Sequence, residues 1–409
     1  MKTFDIAAVR GLFPALSREI DGRPAVYFDG PAGSQTPQSV ADAISDYLLR
    51  HNANHGGAFV TSKENDEMLL QAQKAAADFL GADDPATIVF GANMTTLTFA
   101  MSRTIARTWR MGDEVIVTQL DHDANITPWR MAAEERGALV REVRVRLEDG
   151  TLDLENLRSK LSDRTRLVAI GCASNATGTI NPVRQIADWA RAVGADIFVD
   201  AVHYAPHALI DIKAWNCDYL VCSAYKFFGP HAGILWGRRD RLESLPPYKV
   251  RPADDRTPDR WMTGTPNFEC IAGTRAAIDY LTSLGGPAPT RRDALRNAFE
   301  RIRNHESSLA RQFLTGISSL KKVTLYGIGD IDRLGERVPT FALRIQGYPP
   351  RAAAERLARL GIFVWHGNFY ALRLSEVLGL EPEGMVRIGM LHYNTADEVD
   401  RLLQALADM

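Results

Sequence analysis

Two charged side chains, Asp200 and Lys226, follow short apolar runs of the kind that form buried strands. Asp200 comes directly after residues 196–199, and Lys226 closely follows residues 219–222. If both runs are parallel strands of one sheet, both side chains lie at the edge formed by the carboxyl ends of the strands, where open α/β sheets bind ligands. A lysine amine can attack an aldehyde, and a carboxylate can keep a ring nitrogen protonated. Pyridoxal phosphate (PLP) requires both functions from the protein that binds it.

Polar side chains close to this pair favour the same cofactor. Ser223 and Tyr225 precede Lys226 and offer O–H donors that suit phosphate oxygens. His122 follows another apolar run, residues 114–117, so it is expected at the same edge of the sheet. There its imidazole could stack on a cofactor ring, although a histidine in such a loop could also serve only as a hydrogen-bonding group.

A third segment, Gly91-Ala-Asn-Met-Thr-Thr96, follows the apolar run 87–90 and opens a predicted helix. Backbone N–H groups at the start of a helix bind phosphate readily. Met94 and Thr95 are therefore candidate cofactor-binding residues. Thr95 or Thr96 could alternatively be no more than a cap of this helix.

The alternation of apolar runs with amphipathic stretches predicts the elements that position these groups. Five runs are typical of buried strands, namely residues 87–90, 114–117, 167–170, 196–199 and 219–222. Between them lie helical patterns such as 39–50 and 182–193, the latter with Pro near its start and Gly194 just after its end. This order predicts an α/β fold with a mostly parallel sheet covered by helices on both faces.

The chain changes character after residue 238, which predicts a second, smaller unit. Residues 239–266 are rich in Pro, Asp and Arg and predict a loop. Later patterns predict helices at 289–314 and 351–360, strands at 338–345, 361–365 and 386–391, and a last helix with a capping box of Thr395 and Glu398. We therefore predict three parts: an N-terminal segment 1–20 that packs with the small domain, a large PLP-binding domain 21–265 and a small α+β domain 266–409.

Composition excludes several classes of function. The 409 residues include 48 Lys and Arg against 50 Asp and Glu, so no basic excess would attract a nucleic acid. The absence of a long apolar run argues against a membrane span. The N-terminus carries acidic residues and no uninterrupted apolar core, so it does not look like a secretory signal. Four cysteines, Cys172, Cys217, Cys222 and Cys270, have no zinc-site spacing, so we expect no metal and reduced thiols in a cytoplasmic protein.

Several sequence blocks, in order along nearly the whole chain, resemble the fold-type I PLP enzymes of aminotransferase class V, and within that class the group II cysteine desulfurases. The blocks are Phe13-Pro-Ala-Leu-Ser-Arg-Glu-Ile, Val26-Tyr-Phe-Asp-Gly-Pro-Ala-Gly, His122-Asp-Ala-Asn-Ile-Thr-Pro-Trp129, Ala173-Ser-Asn-Ala-Thr-Gly-Thr179, Asp200-Ala-Val-His203, Ser223-Ala-Tyr-Lys226, Gly264-Thr-Pro-Asn267 and Val386-Arg-Ile-Gly-Met-Leu-His-Tyr-Asn-Thr395. The fold implied is a large domain with a mostly parallel seven-stranded sheet flanked by helices, followed by a small α+β domain.

The resemblance implies a role for each matching position near the cofactor. Lys226 would form the Schiff base with PLP, Asp200 would pair with the pyridine nitrogen, and His122 would stack on the ring. His203 and Asn175 would lie near the phenolic oxygen of the cofactor and the substrate.

The resemblance also implies how the phosphate and the substrate are held. Thr95, Ser223 and Tyr225 would bind the phosphate. Thr265 would reach the phosphate of the other subunit, because enzymes of this class are homodimers with active sites at the interface. Arg387 would bind the α-carboxylate of the substrate, for which a planar fork of N–H donors is suited.

The chain departs from the desulfurase pattern at positions that bear on the reaction. Tyr370 stands where desulfurases have the mobile-loop cysteine that takes up sulfur, and no cysteine follows Cys270. A phenol cannot carry a persulfide. Trp365 replaces an arginine that is usual there, and Tyr225 replaces a histidine. His203 stands in place of glutamine, as in the lyases and epimerases of the class.

Two interpretations of the altered loop stay open. Trp365, His366 and Tyr370 could line a pocket for a larger or less polar substrate. Alternatively, Trp365 and Tyr370 could be packing aromatics in an apolar wall that also includes Phe369.

The function expected from these features is that of a PLP-dependent enzyme acting on an amino acid through an external aldimine and an α-carbanion. We expect a Cβ–S lyase or transferase that does not use a persulfide cysteine. The alternatives are a class V aminotransferase, an epimerase or racemase similar to isopenicillin N epimerase, and an inactive PLP-fold protein with a regulatory role.

Overall fold

A computed structural model describes residues 5–409, and its largest element is a seven-stranded sheet. In spatial order the strands are Ile88–Gly91, Gly233–Gly237, Tyr219–Ser223, Asp196–Asp200, Thr165–Gly171, Glu114–Thr118 and Leu139–Val143. Gly233–Gly237 is antiparallel to both of its neighbours, and the other pairs are parallel. The predicted mostly parallel sheet is therefore confirmed.

Helices cover both faces of this sheet. They are Gln38–Asp46, Val60–Leu80, Met94–Ile105, Thr127–Arg136, Leu154–Lys160, Val183–Ala192, Ile212–Trp215, Arg239–Ser244 and Phe268–Gly285. Within the strand Asp196–Asp200, Ile197 and Val199 enter one apolar core while Phe198 enters the other. This alternation follows from the two-residue repeat of a strand, and it explains why the strands are continuously apolar.

Two predicted elements differ in detail from the structure. The predicted helix 39–50 ends as an α-helix at Asp46 and continues as a π turn, Tyr47–His51. The segment 239–266, predicted as a loop, contains the helix Arg239–Ser244 and the 3₁₀ turn Asp259–Trp261. The first difference concerns the end of a helix, and the second concerns two elements of six and three residues. In both cases local hydrogen bonding decides the conformation.

A smaller antiparallel sheet forms the second unit. Its strands in spatial order are Val323–Tyr326, Thr340–Ile345, Met385–Gly389 and Trp365–Gly367, and its helices are Arg291–Ile317, Pro350–Arg359, Leu372–Val377 and Ala396–Ala407. The predicted capping box is present, with Thr395 and Glu398 bonding reciprocally at the start of the last helix. An apolar core that includes Phe313, Phe341 and Leu402 lies between this sheet and its helices.

The predicted strand 361–365 is in fact two strands that belong to different sheets. Ile362–Phe363 pairs in parallel with Val26–Tyr27, whereas Trp365–Gly367 pairs with Met385–Gly389. The chain changes partners at Val364. The loop that follows Gly367 then reaches the carboxyl ends of the large sheet, where it contacts Asp123 and Asn175.

The N-terminal segment packs where the two units meet. It includes the helix Ile6–Arg10 and the short strand Glu19–Ile20, which pairs with Arg23–Pro24 just beyond the segment. The first four residues of the predicted segment 1–20 lie outside the described residues. Arg10 donates to the Tyr393 carbonyl at 2.7 Å and pairs with Glu398 at 2.8 Å.

The predicted boundary at residue 265 stays a prediction. Phe268 and Ile271, which lie beyond it, share the apolar core on one face of the large sheet. This packing favours a boundary further along, within Arg291–Ile317.

Three predictions from composition concern the cysteines, a membrane span and a metal site. Cys172, Cys217, Cys222 and Cys270 are all free thiols, and the cytoplasmic location inferred from them stays a prediction. Within residues 5–409, no helix has the length and apolar character that a membrane crossing requires. In the same residues, no cluster of three or more His, Cys, Asp or Glu side chains could hold a metal ion.

Candidate active site

A cavity of about 580 Å³ opens at the carboxyl ends of the central strands. Its lining includes most of the site residues predicted from the sequence, namely Met94, Thr95, His122, Asn175, Asp200, His203, Ser223, Tyr225 and Lys226. These residues come from four strand ends and one helix start, so the parallel arrangement of the strands brings them together.

Lys226 lies at the end of a 3₁₀ turn, Ala224–Lys226, which directly follows the strand Tyr219–Ser223. Its side chain is buried, and Nζ donates to the Pro31 carbonyl. Burial lowers the pKa of Lys226 to about 7, with Arg387 adding to this shift and Asp200 opposing it. The amine is therefore largely uncharged just above neutral pH, which is the form that attacks a carbonyl or accepts a proton.

The lowered pKa of Lys226 predicts its reactivity in the cofactor-free protein. A protonated amine is unreactive towards acetic anhydride, so acetylation of Lys226 should rise with pH up to about 7 and then level off. Mass spectrometry of the labelled peptides between pH 5 and 9 would measure this, with the exposed Lys213 as the internal comparison. Labelling of Lys226 that kept rising steeply through pH 9 would contradict the prediction.

Two buried carboxylates, Asp200 and Asp121, share the floor of the cavity. Asp200 accepts the Val202 N–H at 2.8 Å, and burial raises its pKa to about 6. Asp121 accepts the Gly171 N–H at 2.8 Å, and burial raises its pKa to about 7, with Asp200 contributing. Two carboxylates in one desolvated site retain a proton more readily than one alone.

Asp121 was not predicted from the sequence. Its position directly before His122, after the strand Glu114–Thr118, was the available signal.

His122 presents its ring to the cavity and is held by its own loop. Its Nδ1 accepts the Ala124 N–H at 3.0 Å, which caps the 3₁₀ turn Asp123–Asn125. Burial lowers the pKa of His122 to about 4, with Lys226 and Arg387 contributing, so the imidazole is neutral at physiological pH. A neutral ring with one nitrogen fixed by the backbone is suited to stacking rather than to carrying charge.

Tyr370 covers His122 from the small unit. Their ring centroids are 5.4 Å apart with an interplanar angle of 20°, and the Tyr370 carbonyl accepts the Asp123 N–H at 2.7 Å. Phe369 and Tyr370 have φ values of 59° and 58°, a left-handed conformation that is unfavourable for bulky side chains. Asn175 holds the loop in this conformation by donating to the Phe369 carbonyl at 2.8 Å.

Arg387 is a buried cation beside the cavity. One Nη donates to the Asn175 carbonyl at 2.9 Å, and the guanidinium lies 4.3 Å from the ring centroid of Phe369. Its Nε has no hydrogen-bond partner among residues 5–409. Burial lowers the pKa of Arg387 to about 9, an effect that Tyr225 and Asp29 oppose. A buried guanidinium with a free N–H edge is poised to bind a carboxylate.

Strand pairing determines where the remaining predicted substrate contacts point. Trp365 is directly opposite Arg387, so both lie on one face of the small sheet. His366 is opposite Val386 and therefore lies on the other face. The predicted contacts of Trp365, His366 and Tyr370 with a substrate stay predictions, and the geometry favours Trp365 and Tyr370 over His366.

His203 is fixed by a contact across the two units. Its Nε2 lies 2.9 Å from the Thr340 hydroxyl. The centroids of the His203 and His207 rings are 5.5 Å apart, with an interplanar angle of 71°. Burial lowers the pKa of His203 well below its ordinary value, with His207, Lys226 and Arg387 contributing. His203 is thus a neutral group that lines the cavity.

Four of the phosphate-binding residues predicted from the sequence, Met94, Thr95, Ser223 and Tyr225, line the cavity together. The Met94 N–H, at the start of the helix Met94–Ile105, donates to Ser223 Oγ at 3.0 Å. Thr265 is exposed and lines a neighbouring cavity of about 460 Å³, so its predicted contact with a second subunit stays a prediction. The two cavities share Thr96 and His231, and His231 was not predicted from the sequence either.

Comparisons with known proteins agree with this geometry. Residues 26–402 match the model of the family described as "Aminotransferase class-V". A cysteine desulfurase of Pectobacterium carotovorum is 33% identical over 419 aligned residues, covering 99% of this chain and 98% of the relative. One from Salmonella agona is 34% identical over 424 aligned residues, with the same coverage of both chains.

Solved structures show the same relationship. The apo cysteine desulfurase of Thermococcus onnurineus superimposes with a TM-score of 0.88 at 27% identity, covering 98% of this chain and 97% of that one. A cysteine desulfurase of Escherichia coli has a TM-score of 0.85 at 25% identity, covering 100% and 98%. The chain therefore belongs to the aminotransferase class V family of PLP-dependent enzymes.

Proposed function

We propose that this enzyme cleaves a Cβ–S bond of an amino acid without a persulfide cysteine. The observation that carries the proposal is the presence of Lys226 and Asp200 in one cavity, together with the stacking of Tyr370 on His122. The first pair supports chemistry at Cα of an amino acid. Tyr370 stands at the position that the desulfurase pattern reserves for cysteine, and a phenol cannot take up sulfur.

The residues of the cavity fit PLP. Lys226 offers an amine for the aldehyde, Asp200 a carboxylate for the pyridine nitrogen, and His122 a neutral ring for stacking. The start of the helix Met94–Ile105, with Ser223 and Tyr225, would hold the phosphate. When bound, the cofactor accepts the electron pair that remains after a bond to Cα breaks.

The side chains of this protein would divide the remaining work. Arg387 would bind the α-carboxylate and so orient the Cα–H bond towards Lys226. Lys226 would accept the α-proton, because its lowered pKa leaves the amine largely uncharged near neutral pH. Loss of sulfur from Cβ as a thiol, followed by hydrolysis, converts an S-substituted cysteine and water into the thiol, pyruvate and ammonia.

The positions of all four cysteines support a route without a persulfide. Cys172, Cys217 and Cys222 are fully buried, and burial raises their pKa values. Cys270 lies in the helix Phe268–Gly285, and burial raises its pKa as well. None of them is among the described residues that line the cavity. A buried thiol with a raised pKa is a poor nucleophile.

An amino-acid panel tests the proposed reaction. The purified enzyme is incubated with cysteine, S-alkylcysteines, alanine and glutamate in the presence of a phosphine reductant, and then sulfide, thiol, pyruvate, alanine and enantiomeric composition are measured. We expect pyruvate in an amount equal to the sulfur product, which is hydrogen sulfide from cysteine and a thiol from the S-alkylcysteines. Conversion of cysteine to alanine, with its sulfur released as sulfide by the reductant, would refute the proposal and support a desulfurase.

Other outcomes would assign other reactions. A keto acid formed only with an amino-group acceptor would indicate an aminotransferase, and loss of enantiomeric purity without a new product would indicate an epimerase. No turnover of any substrate would favour a regulatory protein. The matched variant is Tyr370→Phe, which keeps the ring on His122 but removes the hydroxyl, so a selective loss of thiol release would show that the phenol takes part.

We also propose that two copies of this chain form a dimer that completes the site. The apolar side chains Leu49, Phe59 and Val60 are strongly exposed. The ring centroids of the nearby His55 and of Phe268 are 6.1 Å apart. This contact places the segment 49–60 beside the exposed loop that carries Thr265. Exposed apolar groups next to an incomplete cavity favour a second copy as the occupant.

Mixing two defective chains tests the dimer and its shared site. Thr265→Glu would place a negative charge next to the phosphate of the partner, and Lys226→Ala would disable its own site. If Thr265 acts across the interface, co-expression should restore about a quarter of wild-type activity, because half of the dimers are mixed and each has one intact site. No recovery, in the presence of dimers by light scattering, would contradict the shared site.

A further inference from the structure

His231 is an exposed imidazole at the end of the cavity that is formed by the helix start at Met94 and by Ser223 and Tyr225. Its ring stacks on the Tyr225 ring, with centroids 5.1 Å apart and an interplanar angle of 13°. Parallel stacking leaves the edge of the imidazole, which carries both nitrogens, free to bind a ligand.

The backbone around His231 is held in place by short hydrogen bonds. The Gly229 N–H donates to the Ala224 carbonyl at 2.9 Å, and the Ala224 N–H donates to the Ala232 carbonyl at 2.8 Å. A Cβ atom at Gly233 would lie only 2.6 Å from the backbone of Asn93. This close approach brings the strand that follows His231 against the start of the helix Met94–Ile105. His231 is therefore held beside the backbone N–H groups of that helix.

The negative charge of a phosphate group requires basic or N–H donor groups at the end of the cavity where His231 lies. A phosphate ester carries about −1.5 to −2 charges at neutral pH. The lining includes four basic side chains, namely Lys226, His122, His203 and His231. Among the described residues that line the cavity there is no arginine. Burial lowers the pKa of His122 to about 4 and that of His203 well below its ordinary value. Lys226 is needed at the aldehyde of the cofactor. His231 is the remaining basic side chain of the lining, and it lies at the phosphate end.

We propose that His231 binds the phosphate of the cofactor, with Tyr225 as the platform that orients its imidazole. This inference rests on the cofactor placement proposed above. An exposed imidazole can gain a proton when an anion lies beside it, and the resulting charge-assisted hydrogen bond is stronger than a neutral one. His231 would thus supply a cationic donor that the uncharged Thr95, Ser223 and Tyr225 do not provide.

A binding comparison of two cofactor forms tests this role. The full-length protein, freed of cofactor with hydroxylamine, is titrated with PLP and with pyridoxal, which has the same aldehyde but no phosphate. Binding is followed by visible absorbance and by the ³¹P resonance of bound PLP. His231→Gln should raise the Kd for PLP about tenfold or more, the effect of losing one charge-assisted hydrogen bond. The Kd for pyridoxal should stay unchanged, and the ³¹P resonance should shift.

Matched variants make the result specific. His51→Gln removes a partly exposed histidine outside the cavity and should bind PLP like the wild type. In contrast, His231→Lys should restore most of the affinity because it restores the charge. Ser223→Ala reports on the cofactor placement itself.

The possible failures are distinguishable. If Ser223→Ala weakens PLP binding and His231→Gln does not, the role of His231 is overturned while the placement stands. If the wild type binds PLP and pyridoxal equally well and Ser223→Ala has no effect, the placement fails, and the role of His231 fails with it.

Discussion

Replacement of Lys226 with alanine is expected to reduce turnover by about 10⁴-fold or more, because one side chain supplies both the nucleophile for the cofactor and the base for the substrate. Steady-state turnover of the best substrate from the amino-acid panel measures this loss. Borohydride reduction followed by peptide mass spectrometry measures cofactor attachment. In the wild type the cofactor mass is expected on Lys226, and in the variant on no residue.

The structure also predicts how the Lys226→Ala protein should behave as a folded molecule. The wild-type amine is buried and burial lowers its pKa to about 7, so the charged form is not favoured in the folded state. A buried group of this kind contributes little to stability, and we expect an unchanged or higher Tm for the variant. A small amine such as ethylamine added to the solution should restore part of the turnover, because it can accept a proton in the vacated space.

One control variant and one contradicting outcome test the assignment of Lys226. Lys213→Ala removes an exposed lysine that pairs with Asp83, and turnover should be unaffected. A Lys226→Ala protein that retained covalent cofactor on another lysine would show that Lys226 is not the attachment site.

Replacement of Arg387 is expected to have the second largest effect. Its guanidinium is buried, its Nε has no partner among the described residues, and one Nη is already bonded to the Asn175 carbonyl. The free N–H edge can make two charge-assisted bonds to a carboxylate, each worth at least about 1.5 kcal/mol, so kcat/KM for an amino acid should fall by about a hundredfold in Arg387→Met.

A substrate pair separates loss of binding from general damage. Cysteine and cysteamine differ only in the carboxylate, so the affinity of Arg387→Met for cysteine should fall while its affinity for cysteamine is preserved. Arg387→Lys should recover only part of the loss, because an ammonium group cannot form a planar fork. Arg344→Ala, which changes an arginine in the neighbouring strand that pairs with Glu383, is the matched control. An equal loss for both ligands would contradict the assignment.

The location of Lys226 and Asp200 could be predicted from the sequence for a simple physical reason. Strands that are buried on both faces are continuously apolar, so the first polar residues after such runs mark the carboxyl edge of a parallel sheet. The same reasoning located His122 and Ser223, and all four line one cavity. The order of the family blocks extended this to Asn175 and His203.

Asp121 and His231 were missed because their local sequence carries no distinctive signal. Asp121 precedes His122 in a polar loop, and its importance comes from burial beside Asp200. His231 lies in a turn between Lys226 and the strand Gly233–Gly237, and its stacking on Tyr225 depends on how that turn folds. Neither burial nor stacking can be read from neighbouring residues alone.

The sequence by itself determined the cofactor chemistry around Lys226 and the α/β architecture, because both depend on residue type and local periodicity. The missing loop cysteine followed from the resemblance to the desulfurases. Only the tertiary structure decided where Tyr370, which stands in place of that cysteine, lies. The chain changes sheets at Val364, and its next loop crosses to the large sheet, where Asn175 and Asp123 hold it in a left-handed conformation and Tyr370 stacks on His122. These contacts join residues about 200 positions or more apart, and they form only when the two units pack together.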